Sequence, residues 1–138
     1  MKQLTVAVCI DDRMGMLFAG RRQSRDRVLI SELLQNSNGK PLCISPFSKA
    51  LFAPNADVAV YEDLFAQCPE GSICFLEEPP LLPYVKDIHT LILYRWNRHY
   101  PADRYFDLSP TEQGFSLVST VEFEGSSHER ITKEVYVK

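Results

Sequence analysis

Apolar positions along the chain fall into short runs that alternate between strand and helix spacing. Leu4 to Ile10 is a short continuous apolar run, the pattern of a central strand buried on both faces. Asp11 to Gly20 holds two glycines and reads as a loop. From Ser24 the period changes: Leu29, Ile30, Leu33 and Leu34 make one helical stripe. Ser24 is placed to cap that helix, and Asp26 sits in its first turn, where a negative charge suits the helix dipole. The segment 36–39 ends the helix, and Pro41 opens a strand from Leu42 to Ile44. Pro46 to Phe52 reads as a short helix begun by proline, Val58 to Val60 as a brief strand, Glu62 to Gln67 as helix and Ile73 to Leu76 as strand. Three prolines (Pro79, Pro80, Pro83) leave room only for a short helix near Tyr84 to Lys86, and Leu91 to Leu93 begins the next buried strand. At the end, Phe115, Leu117, Val121 and Phe123 are predicted to share one strand face, and Ile131, Val135 and Val137 another, with Gly125-Ser126-Ser127 joining them. Strands mixed with helices and closed by a hairpin predict one α/β domain over residues 1–138, with a mainly parallel sheet and an antiparallel edge.

Composition narrows the function classes. The chain has 138 residues, 45% hydrophobic and 24% charged, enough to bury a core without disulfides or metals. A net charge of -3 gives no global pull toward nucleic acid or anionic membrane. No apolar run approaches the roughly 18 residues that span a bilayer. The start, M-K-Q-L-T-V-A-V-C-I-D-D, has no secretory h-region, so a cytoplasmic address is expected. Cys9, Cys43, Cys68 and Cys74 form no C-x-x-C pair and read as small core residues, with no metal site. His89, His99 and His128 read as surface residues, and no Ser-His-Asp motif, P-loop or zinc motif is present. Arg13, Arg21, Arg22, Arg25 and Arg27 crowd one loop and helix start, a candidate phosphate or nucleic-acid patch that Tyr94 to Tyr100 could extend with stacking aromatics. The surplus of acidic residues and the absence of a nucleic-acid motif weigh against that reading.

Several motifs together resemble the dihydrofolate reductase family over nearly the whole chain. V-A-V-C-I-D-D-R-M-G-M (Val6 to Met16) is similar to that family's first strand and following loop. R-R-Q-S-R-D (Arg21 to Asp26) stands where the family has a Trp and a Leu-Pro-x-Asp helix start. Leu91 to Trp96, the Asp103-x-x-Phe106 corner and the two last segments resemble its sixth strand, Asp-x-x-Phe corner and closing hairpin. The resemblance implies a dihydrofolate-reductase-like fold, a pterin-pocket carboxylate at Asp26, and substrate-pocket positions at Ala7, Ile30 and Tyr94. A carboxylate there would bind an amino-pyrimidine edge and assist protonation of the hydride acceptor. Flanking Arg25 and Arg27 would instead keep Asp26 ionised, as an ordinary helix-start residue.

The cofactor signatures depart from the family pattern. Where the family reads Gly-Arg-x-Thr, the segment 38–49 has Ser45, Pro46 and Ser48; Ser48 could donate one hydrogen bond, but no cation remains for a 2′-phosphate. Where it has a Gly-Gly pair against the pyrophosphate, Ile73 to Leu76 runs into Glu77-Glu78-Pro79-Pro80. Phe52 to Val58 is too short for the strand and loop that embrace the adenine end. The expectation is a diverged, shortened member without ordinary NADPH-dependent reductase activity or a cofactor, serving as a small-ligand-binding or interaction module for a pterin- or pyrimidine-like compound. The alternatives are an active NADPH-dependent dihydrofolate or pterin-type reductase with a rebuilt cofactor site, and a phosphate or nucleic-acid binder through the arginine loop.

Overall fold

The computed structural model describes residues 2–37 and 39–138, so the expected helix end at 36–39 falls partly on Asn38, outside the described residues. In chain order the elements are β1 (Leu4–Ile10), β2 (Gly15–Phe18), β3 (Arg21–Arg22), α1 (Arg27–Asn36), β4 (Leu42–Ile44), β5 (Val58–Val60), α2 (Leu64–Gln67), β6 (Ile73–Leu76), β7 (Ile88–Arg95), β8 (Arg104–Tyr105), β9 (Ser116–Phe123) and β10 (Ile131–Val137). Single 3₁₀ segments cover Pro46–Leu51 and Leu82–Asp87, each with proline in its first turn. The main sheet runs β5-β4-β6-β1-β7-β10-β9, and β3-β2-β8 form a small second sheet. Pairs among β5, β4, β6, β1 and β7 are parallel; β10 runs antiparallel to both β7 and β9.

Alternation along the central strands divides the core in two. Leu4, Val6, Val8 and Ile10 of β1 join Leu91 and Leu93 of β7 on one face, under Leu64 and Phe65 of α2. Ala7 joins Phe75, Ile92 and Tyr94 on the other, under Leu29 and Leu33 of α1. Strands covered on both faces carry apolar residues at most positions, which is why Leu4 to Ile10, broken only by Thr5, lacks polar alternation.

Three expectations change. The segment 11–20 is not all loop: Gly15–Phe18 pairs with both Arg21–Arg22 and Arg104–Tyr105. The cap of α1 is Asp26 itself, not Ser24: its backbone is extended (φ -151°, ψ 126°) and its side chain accepts from Val28 N and Leu29 N. In the hairpin, Ser119 faces Val135 while Leu117 faces Tyr136, so Val118 is the extra residue of a bulge. The bulge breaks the alternation. Phe115 packs into the α2-side core and Phe123 against the α1-side core, while Leu117, Val118 and Val121 are about half exposed. No helix among the described residues is long and apolar enough to cross a membrane.

Candidate functional site

A narrow slot opens beside the carboxyl ends of β1 and β6, where open parallel sheets commonly hold ligands. Its wall includes Cys9 of β1, Met16 of β2, Arg22 to Asp26, Leu29 and Ile30 of α1, Phe75 to Glu77 at the end of β6, and Trp96. The cavity volume is about 20 Å³, room for about one water molecule. Any ligand larger than water must therefore push the walls apart.

An ion pair forms part of the slot wall. Arg22 Nε lies 2.9 Å from Glu77 Oε2, and Arg22 Nη2 lies 3.0 Å from Glu77 Oε1. The same guanidinium donates to the Phe47 carbonyl at 3.1 Å and sits 4.9 Å from the Phe47 ring centre. Two parallel hydrogen bonds plus a ring beneath the cation hold the pair in one geometry. Glu77 is buried, and the Glu78 carbonyl accepts from Arg104. Of the E-E-P-P run, only Glu77 lines the slot. The Cys9 thiol is pushed well above its ordinary pKa by burial and then by the Glu77 and Asp26 carboxylates.

Another part of the wall is organised by Asp26. Its Oδ1 accepts from Val28 N, Leu29 N and Ser126 N at 3.0, 3.2 and 2.9 Å. Its Oδ2 accepts from Ser127 N at 2.8 Å and His128 Nδ1 at 3.1 Å. Ser127 Oγ is 3.2 Å from the same oxygen and 2.8 Å from the Arg25 carbonyl, to which its single proton is better placed. Burial raises the pKa of this carboxyl, but the N–H groups of Ser126 and Ser127, His128 and Leu29 outweigh it and hold Asp26 well below the ordinary carboxylate range.

The five sequence-derived site positions separate. Asp26 and Ile30 line the slot together. Ala7 is 1% exposed, inside the α1-side core and away from the slot wall. Tyr94 is fully buried in the same core, its hydroxyl accepting from Asn36 Nδ2 at 3.0 Å and donating to Glu32. Ser48 is fully buried off the slot, and the hydroxyls of Ser45 and Ser48 have no hydrogen-bond partner among the described residues. Arg13, Arg21, Arg25 and Arg27 are exposed, whereas Arg22 is committed to Glu77.

His128 is the residue that sequence reasoning missed. It is 4% exposed rather than on the surface, and it stacks on Trp96 with ring centres 4.4 Å apart and planes 23° from parallel. Its Nε2 lies 3.1 Å from Ser24 Oγ and 2.9 Å from Tyr100 OH. The signal was Gly125. A Cβ there would collide with the Asp26 carboxylate, so the turn before His128 must approach α1 with no side chain in the way. Cys43, Cys68 and Cys74 are buried, with Cys68 and Cys74 sulfurs 3.8 Å apart. Among the described residues no group of three or more His, Cys, Asp or Glu side chains is arranged to hold a metal ion.

No protein-family model matches the chain, and no curated protein matches its sequence. Solved structures do match. A dihydrofolate reductase from Enterococcus faecalis, complexed with NADP(H) and RAB-propyl, superposes with a TM-score of 0.70. The match covers 99% of this chain and 96% of that one, at 12% sequence identity. At that identity the likeness establishes architecture, and the chain has a dihydrofolate-reductase-like fold.

Proposed function

We propose that this chain uses a dihydrofolate-reductase-like scaffold to bind a small flat ligand, and that it does not perform ordinary NADPH-dependent reduction. The observation that carries this reading is the two-bonded Arg22–Glu77 pair across the slot. An anionic dinucleotide entering there would meet a buried carboxylate, and the arginine beside it is already neutralised. The residues at the turn after β4 fit NADPH no better. Ser45 and Ser48 are 2% and 0% exposed, so their hydroxyls reach no phosphate unless the turn moves. Arg25 lines the slot too but is exposed at its edge.

Asp26 serves in this reading as a structural clasp and not as a proton donor. Its oxygens are filled by donors from α1 and from the 126–128 turn, and it is ionised throughout the neutral range. A pterin- or pyrimidine-like ring would instead address Gln23, a slot residue whose Oε1 is buried without a partner among the described residues and can accept from a ring amino group. Apolar Leu29, Ile30 and Phe75 would cover the ring faces.

The experiment is a thermal-shift screen of pteridines, diaminopyrimidines, nicotinamide dinucleotides and mononucleotides. Binding raises the melting temperature by mass action. A shift with a flat heterocycle and none with millimolar NADPH supports the reading. A shift with NADPH, together with its oxidation by dihydrofolate, establishes the reductase alternative.

A further inference from the structure

Ser24, His128 and Asp26 form one continuous hydrogen-bonded chain, with Ser24 and Asp26 on the slot wall and His128 buried behind them. Ser24 Oγ is 3.1 Å from His128 Nε2, and His128 Nδ1 is 3.1 Å from Asp26 Oδ2. No sequence motif links positions 24, 26 and 128, but such a triad is defined by geometry and roles. Because an ionised carboxylate can only accept, it fixes the Nδ1–H tautomer and leaves Nε2 of the neutral ring as an acceptor facing the serine hydroxyl. The ring is held on a third side by Trp96. Ser24 is half-buried and is one of the residues that line the slot.

We propose that Ser24 is a nucleophile and that the slot carries an acyl-transfer chemistry, the hydrolysis of small esters with a flat, apolar acyl group. The proposal rests on the slot admitting small molecules, as in the reading above. Ser24 Oγ attacks the ester carbonyl carbon while His128 Nε2 takes the hydroxyl proton. The carbon–oxygen bond to the alcohol then breaks, and the alcohol leaves with that proton. Water repeats the two steps on the acyl-serine, releasing the carboxylic acid and restoring Ser24. Arg25, adjacent in sequence and lining the same slot, is the cation available to the charge that develops on the carbonyl oxygen. Cys9 does not compete, since its thiol is kept protonated.

One contact restrains the serine. Tyr100 OH lies 2.9 Å from the same Nε2, and the single lone pair accepts from only one hydroxyl at a time. Removing the tyrosine hydroxyl should therefore free the base for Ser24.

The test is labelling of the intact folded protein with a small alkyl fluorophosphonate, the adduct mapped by peptide mass spectrometry. The expected result is one adduct at Ser24, absent in Ser24→Ala and formed several-fold faster in Tyr100→Phe. Labelling of exposed Ser31 should be at least tenfold slower, and Ser31→Ala should leave the Ser24 rate unchanged. Replacing buried His128 endangers the fold, and Tyr100→Phe tests the same nitrogen without that risk. Labelling of Ser24 no faster than Ser31, or no faster in Tyr100→Phe, overturns the proposal. If flat heterocycles stabilise the protein yet Ser24 stays unlabelled, the nucleophile fails and the ligand reading stands. If Ser24 is labelled and no heterocycle protects it, the ligand reading fails alone.

Discussion

Arg22 holds Glu77 by two parallel hydrogen bonds, 2.9 and 3.0 Å long, between a two-residue strand of the small sheet and the residue that follows β6 of the main sheet. The pair thus ties the two sheets together at the mouth of the slot.

Breaking the pair from one side should destabilise the protein. Arg22→Met leaves the Glu77 carboxylate, whose side chain is 9% exposed, without its cation. A loss of about 3 kcal/mol is expected, and most of it should return in Arg22→Met with Glu77→Leu, where the charge is gone too. Urea unfolding of the single and double variants measures the cycle. Purely additive losses would show that the pair does not act as a unit.

Asp26→Ala should cost more than loss of a helix cap alone. The cap contributes about 1 kcal/mol. The substitution also removes the acceptor of Ser126 N and Ser127 N on the exposed turn and of the buried His128 Nδ1, which keeps only Ser127 Oγ at 3.1 Å. A total of about 2–4 kcal/mol is expected by urea unfolding. The acid limb carries a second signature. The folded pKa of Asp26 lies below its unfolded value, so its contribution is complete above about pH 4 and is lost as pH falls toward the folded value. Asp26→Asn should flatten the stability profile below about pH 4; an unchanged acid limb would count against the clasp.

Gly125→Ala tests the turn from the other side. The added Cβ meets the Asp26 carboxylate and lies 2.9 Å from Ile131 Cδ1. Overpacking of this kind costs about 1–3 kcal/mol. Wild-type stability in this variant would mean that the turn stands further from α1 than the structure has it.

The sheet was legible in the chain because burial on both faces leaves a simple mark. Val6, Val8, Leu91 and Leu93 stand in unbroken apolar runs, and each run is a central strand. The bulge at Val118 was not legible, since alternation in sequence carries no information on where pairing slips by one residue. The slot was only half legible. Asp26 and Ile30 lie close in sequence on one helix start, whereas His128 reaches Asp26 across about a hundred positions through a glycine turn. Local pattern cannot reveal a hydrogen bond made by the closing of a hairpin. The fate of Arg22 was hidden for the same reason: its partner lies 55 residues away.

Tyr94→Phe separates core from site. The Tyr94 hydroxyl bonds Glu32 and Asn36 inside the protein. Glu32 keeps Lys133 Nζ at 2.9 Å and Asn36 Nδ2 at 2.9 Å when it is removed. A loss of about 1 kcal/mol is expected, with no change in the affinity of any heterocycle found by the thermal-shift screen. A changed affinity would bring Tyr94 back to the slot.

Titration of the purified protein with NADPH, followed by isothermal calorimetry, bears most directly on the proposal that this scaffold has given up the reductase cofactor. No saturable heat up to millimolar NADPH is the expected result, in the wild type and in Tyr94→Phe alike. Saturable binding in the micromolar range would contradict it, and with it the assignment of Arg22 and Glu77 as a closed gate to the cofactor.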